Sequence, residues 1–190
     1  MVTLAILGLH GVSAQQDAGY SEETLEDAYE IINLQYPKGR LLEATIGSET
    51  QYDGEFLTYL WLNENNRERT PTGVLAITPF VDFDTLLTEV QKKELTWKFE
   101  HLPEVILDEH KVSAETIRQI DVEKNGDNRE FFPDGIVSFP LIQEGKDGSQ
   151  YGIIYEIKGV FPVSHPGSNM HVYRKHNGKW EYFCIVNVSV

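Results

Sequence analysis

The chain has 190 residues, 41% of them hydrophobic and 24% charged, a composition that excludes wholesale disorder. Its 30 acidic against 16 basic side chains give a formal charge of −14, which turns away nucleic acid and anionic membranes as partners. A single cysteine, Cys184, excludes an internal disulfide, and no apolar run reaches the roughly 18 residues needed for insertion across a bilayer.

The chain opens MVTLAILGLHGVSAQQ. Leu4 to Leu9 is a short apolar core, and Val12-Ser13-Ala14 puts small residues where a signal peptidase reads them. The expectation is a bacterial secretory leader cut after Ala14. Residues 1–14 are then a signal-peptide remnant, and 15–190 a single α+β domain, periplasmic or extracellular. The cationic start of such a leader is missing, and a start site further upstream would supply it. The competing reading, a buried strand over Val2 to Leu9 in a cytosolic protein, leaves the small-residue pattern unexplained. No cysteine sits at the cleavage point, so no lipid anchor is expected.

Ser21 is a helix N-cap, with Tyr20 placed to pack on Leu25. Leu25, Ala28, Tyr29 and Ile32 repeat at helical spacing until Pro37-Lys38-Gly39. Leu41 to Ile46 and Phe56 to Leu62 look like strands, and Asn63 to Thr72 a polar loop. Gly73 to Thr78 is a short apolar strand. Phe83, Leu86, Leu87 and Val90 predict a helix over about 83–95, capped by Asp82 or Asp84. Trp97 to Phe99 and Glu104 to Leu107 read as short strands. A compact helix follows, with Ser113 as N-cap, Val112 stapling Ile117 and Ile120 near its end. Asn125 to Gly135 is loop.

From Ile136 the period becomes two. Strands are predicted at 136–143, 149–161, 168–175 and 179–188, joined by short turns into an antiparallel meander. Pro140 cannot donate to a ladder, which puts the first of them at an edge. Helices before a meander make the fold class α+β, with N-terminal helices packed on a curved antiparallel sheet.

Asn177-Gly178 is a two-residue hairpin signal for a type I′ turn. Closing the hairpin there pairs Arg174 with Glu181, Val172 with Phe183, Lys175 with Trp180, Tyr173 with Tyr182 and His171 with Cys184. Residues 158–190 hold Lys158, Arg174, Lys175 and Lys179 against Glu181 alone, a local +3 that leaves −17 on the rest. Tyr173, Lys175, Trp180 and Tyr182 therefore form the candidate binding surface, aromatic and cationic together. The bland alternative is that the aromatic face is core, with Lys175 reaching out at its rim.

Motifs of chemistry are few. Asp82-Phe83-Asp84-Thr85-Leu86 resembles the opening motif of haloacid dehalogenase-like phosphatases. Leu86 stands where that family has Thr or Val, and helix capping explains both carboxylates. Asp121 to Gly126 partly matches a calcium loop, but Phe132 occupies the place of the bidentate Glu, so a turn is expected. His165, His171, His176 and Cys184 lie close in sequence or across the hairpin; a buried core cysteine is favoured over a metal site. No nucleophile elbow, phosphate loop, dinucleotide fingerprint or His-Glu-x-x-His occurs. Asn187-Val188-Ser189 is a formal glycosylation acceptor without weight inside a strand.

His171 to Val188, with Arg174-Lys175-His176-Asn177-Gly178-Lys179-Trp180, resembles the closing hairpin of nuclear-transport-factor-two-like and cystatin-like domains. That resemblance implies helices on a curved sheet whose concave face binds a small ligand or partner; no catalytic residue of those families maps onto this chain. Pro103 to Ile120 is similar to a segment of plug-type domains of outer-membrane receptors, which implies an envelope setting. The combined expectation is an exported, non-enzymatic module for a small ligand or protein, without cofactor. The alternatives are a hydrolase with dispersed site residues and an acidic inhibitor or immunity-type protein.

Overall fold

The computed structural model describes residues 20–47, 75–79, 81–118, 133–158 and 167–188. The leader, the Phe56 to Leu62 strand, the calcium-like loop and His165 lie outside the described residues.

Helix α1 (Glu22–Gln35) is followed by β1 (Leu41–Glu43), β2 (Thr45–Ile46) and β3 (Leu75–Thr78). Then come α2 (Phe83–Leu86), α3 (Glu89–Glu100), β4 (Val105–Ile106) and β5 (Glu115–Ile117). The chain ends in β6 (Gly135–Val137), β7 (Leu141–Glu144), β8 (Gln150–Lys158), β9 (Gly167–His176) and β10 (Lys179–Val188). The fold class is α+β: β7 to β10 form an antiparallel meander, β3 adds to the outside of β10, and β6 pairs with β8 beside β7. Two small pairs stand apart from this sheet, β1 with β5 in parallel and β2 with β4 antiparallel.

Alternation along the strands sends neighbouring residues to opposite faces and so builds two cores. On one face Ile154, Tyr173 and Trp180 meet Leu25, Ala28, Ile31 and Ile32 of α1. On the other, Ile153, Val172, Cys184 and Val186 meet Phe83, Leu87, Leu95 and Phe99 of the α2–α3 segment. Helix α1 comes so close to β8 that a Cβ at Gly152 would overlap the Ile31 side chain.

Ser21 caps α1 by accepting from the Thr24 amide at 3.1 Å, and the expected stripe of Leu25, Ala28, Tyr29 and Ile32 is buried. The terminal turn is also as expected, with positive φ at Asn177 (51°) and Gly178 (76°). Register holds from Lys179–His176 through Tyr182–Tyr173. A bulge at Phe183 then shifts it, so Cys184 faces Val172 and Ile185 faces His171. The expected Val172–Phe183 and His171–Cys184 pairs do not form. With the extra residue, Phe183 and Cys184 both turn toward the second core, where Phe183 lies 5.6 Å from the Tyr151 ring.

Five other expectations change. The helix expected over 83–95 is broken: α2 ends at Leu86, and α3 starts at Thr88, whose side chain and that of Gln91 form a reciprocal capping box. Trp97 to Phe99, expected as a strand, continues α3. The helix expected after Ser113 is strand β5, because other groups claim its backbone. The Asn33 amide carbonyl accepts from the Ser113 amide (2.6 Å), and Arg40 O accepts from the Glu115 amide (2.9 Å). Finally, 136–143 is divided at Pro140 into β6 and β7, both on the same edge of β8, while 41–46 is divided at Ala44.

Candidate functional site

The four hairpin residues part company. Trp180 and Tyr173 are each only 3% exposed, whereas Tyr182 is 52% exposed. Asp27, on the sheet-facing side of α1, accepts from the Trp180 indole N–H at 2.9 Å and from Lys175 Nζ at 2.7 and 2.9 Å. The Lys175 ammonium also sits 5.7 Å from the centroid of the Trp180 ring. Tyr173 donates its hydroxyl to Gln35 at the end of α1. Three of the four residues therefore fasten the hairpin to α1, and only Tyr182 keeps a solvent-facing ring, edge-on to Tyr173 at 5.8 Å. Arg174 is also engaged, donating to Asp147 and to Ser149 at 2.9 Å each. The local positive charge of the hairpin is thus largely spent on ion pairs. Asp27 escaped sequence reasoning; its signal is its place four residues before Ile31, on the flank of the apolar stripe.

Below the hairpin lies an enclosed polar cluster. Glu156 on β8 accepts from the Tyr36 hydroxyl at 2.6 Å and pairs with His171 Nε2 at 2.7 Å. Burial, reinforced by the neighbouring Glu156 carboxylate, pushes the Tyr36 hydroxyl far above its ordinary range. All three side chains are buried, so this Glu–His pair has the residue types of acid–base chemistry without access for a substrate. Cys184 lies on the opposite face from His171, and burial pushes its thiol up to about 12. Among the described residues, no group of three His, Cys, Asp or Glu side chains converges as a metal site requires.

Asp82 and Asp84 have structural partners. Asp82 caps α2, accepting from the Asp84 amide at 2.9 Å, and Asp84 pairs with the buried ammonium of Lys92.

A cleft of about 450 Å³ opens between the start of α1, the end of α3 and β7. One wall is Trp97, at 60% exposure, whose indole stacks on His101 at 4.5 Å with an interplanar angle of 18°. His101 Nδ1 lies 2.8 Å from the Trp97 carbonyl. A carbonyl only accepts, so Nδ1 carries a proton in this contact. Across the cleft stands Tyr20, its ring edge-on to Phe139 at 5.2 Å and its hydroxyl pushed up to about 12 by burial. Thr24 adds a hydroxyl held by Ser21 at 2.7 Å. Lys98 bridges the two layers, bonding Glu94 (2.8 Å), Gln143 (3.1 Å) and the Ile142 carbonyl (3.3 Å).

The sequence hid this cleft because Trp97 was read as strand. Only in a helix are Trp97 and His101, four residues apart, direct neighbours on one face; in a strand they would lie too far apart to stack. The Thr88/Gln91 capping pair was the available signal for that helix. No protein-family model, curated protein or solved structure matches this chain.

Proposed function

We propose that this protein is an exported, non-enzymatic binding module whose small ligand occupies the Trp97 cleft. The observation that carries the reading is the exposed Trp97 indole held flat on His101 at 4.5 Å, beside a concavity with polar groups at its rim. An exposed tryptophan is costly in water, and one already ordered by stacking loses little freedom when a ligand covers it. The volume falls within the roughly 300–1,000 Å³ common for small-molecule sites. Export rests on the apolar core and the Val12-Ser13-Ala14 pattern of the first residues.

Chemistry on a substrate would need an accessible acid, base or nucleophile. The Glu156–His171–Tyr36 cluster is enclosed and Cys184 is buried, and the accessible imidazole of the cleft, His101, has no carboxylate or thiol beside it among the lining residues, which favours binding over catalysis. The test is ligand-observed NMR of the full chain against a library of ring-bearing small molecules, repeated on Trp97→Ala. Hits whose saturation disappears in the variant support the site. A library without a single Trp97-dependent hit removes it.

A further inference from the structure

Resting on that reading of the cleft as a ligand site, we propose that its occupant is an uncharged sugar ring. Each class of small ligand asks something different of the walls, and the walls meet the demands of one.

An anionic ligand needs a free cation. Lys98 is the ammonium of the cleft, and its three N–H donors are already matched by Glu94, Gln143 and the Ile142 carbonyl. The body carries −14 in addition, which repels a carboxylate or phosphate at long range. A cationic ligand finds no carboxylate among the residues that line the cleft. A wholly apolar ligand would cover the Tyr20 hydroxyl and His101 Nε2, neither of which has a hydrogen-bond partner among the described residues, and leave both unsatisfied.

A pyranose meets each of these conditions. Its C–H face packs on the open face of the Trp97 indole, whose other face is taken by His101. Its hydroxyls both donate and accept, so one edge can bond to the Tyr20 hydroxyl and to His101 Nε2, with Thr24 within the same wall. It carries no charge and so gains nothing and loses nothing from the acidic body.

The experiment is saturation-transfer NMR and calorimetry on the full chain with methyl glucoside, methyl N-acetylglucosaminide and cellobiose. Benzoate and benzamidine serve as anionic and cationic rings. The expected result is saturable binding of at least one saccharide, weakened about tenfold or more by Trp97→Ala and less by Trp97→Tyr. Tyr20→Phe weakens it without touching the platform, and thermal melting confirms that each variant folds. If benzoate or benzamidine binds in a Trp97-dependent way and no saccharide does, the sugar assignment falls while the cleft stands as a ligand site. If no probe binds in a Trp97-dependent way, both fall.

Discussion

Asp27 stands where α1 crosses the terminal hairpin, and its carboxylate serves two groups at once. One is the Trp180 indole N–H and the other the Lys175 ammonium. Removing a buried acid leaves a cation and a donor with nothing to bond, which costs more than the pair itself contributes. Asp27→Ala is expected to lower unfolding stability by about 2–3 kcal/mol, below the range for a fully buried pair because Lys175 retains some solvent. Urea unfolding measures it; a loss within error of zero would mean that the hairpin holds to α1 by apolar packing alone. Tyr20 makes a second prediction, with a pH sign. Its hydroxyl moves from 10.0 to about 12 on folding, so the protonated form is the one the native state favours. The contribution is complete below pH 10 and is lost as pH rises through about 12. Urea midpoints should therefore fall between those values, and Tyr20→Phe should flatten that part of the fall.

Between elements, the decisive junction is Leu87–Thr88, where one expected helix becomes two. The capping box at Thr88 and Gln91 satisfies the first amides of α3 and sets where its faces point. That placement buries Leu95 and Phe99 and leaves Trp97 and His101 outward as the rim of the cleft. Thr88→Ala should cost about 1 kcal/mol in thermal unfolding and weaken any Trp97-dependent ligand, since fraying of α3 loosens the stack. An unchanged melting temperature would show that core contacts alone fix the start of α3. The same junction explains what was legible. Helix α1 and the Asn177-Gly178 turn depend on local chemistry, an N-cap and positive φ, and both stood in the sequence. The β5 segment depends on Asn33 and Arg40, about 80 and 75 positions earlier, which claim its backbone amides; its local pattern of Ser113 and Ile117 fitted a helix equally well. The Phe183 bulge is similarly invisible locally, because it answers the packing of Tyr151 on the neighbouring face. The candidate surface was half legible: sequence found the aromatic–cation composition of the hairpin but not Asp27, which turns it inward.

At the scale of the whole molecule, the charge is unevenly placed. The acidic excess is carried by residues 1–157, while Arg174 and Lys175 at the other end are tied to Asp147 and Asp27. An acidic protein whose Arg174 and Lys175 are held in ion pairs has little affinity for anionic surfaces. The proposed export rests on the first residues. The described fold begins at Tyr20, whose ring packs on Phe139, and Ser21 already caps α1. The proposed cut after Ala14 lies five residues before Tyr20, so it would remove the apolar Leu4 to Leu9 run without touching a packed element described here. The prediction has two arms. Expression of the full reading frame in a bacterial host, followed by N-terminal sequencing of the envelope fraction, should return Gln15 as the first residue. The chain starting at Gln15 should melt at the same temperature as the uncut chain, within about 1 °C. A product that keeps Val2 to Leu9, together with a melting temperature several degrees lower once they are removed, would make that run a core strand and return the protein to the cytosol.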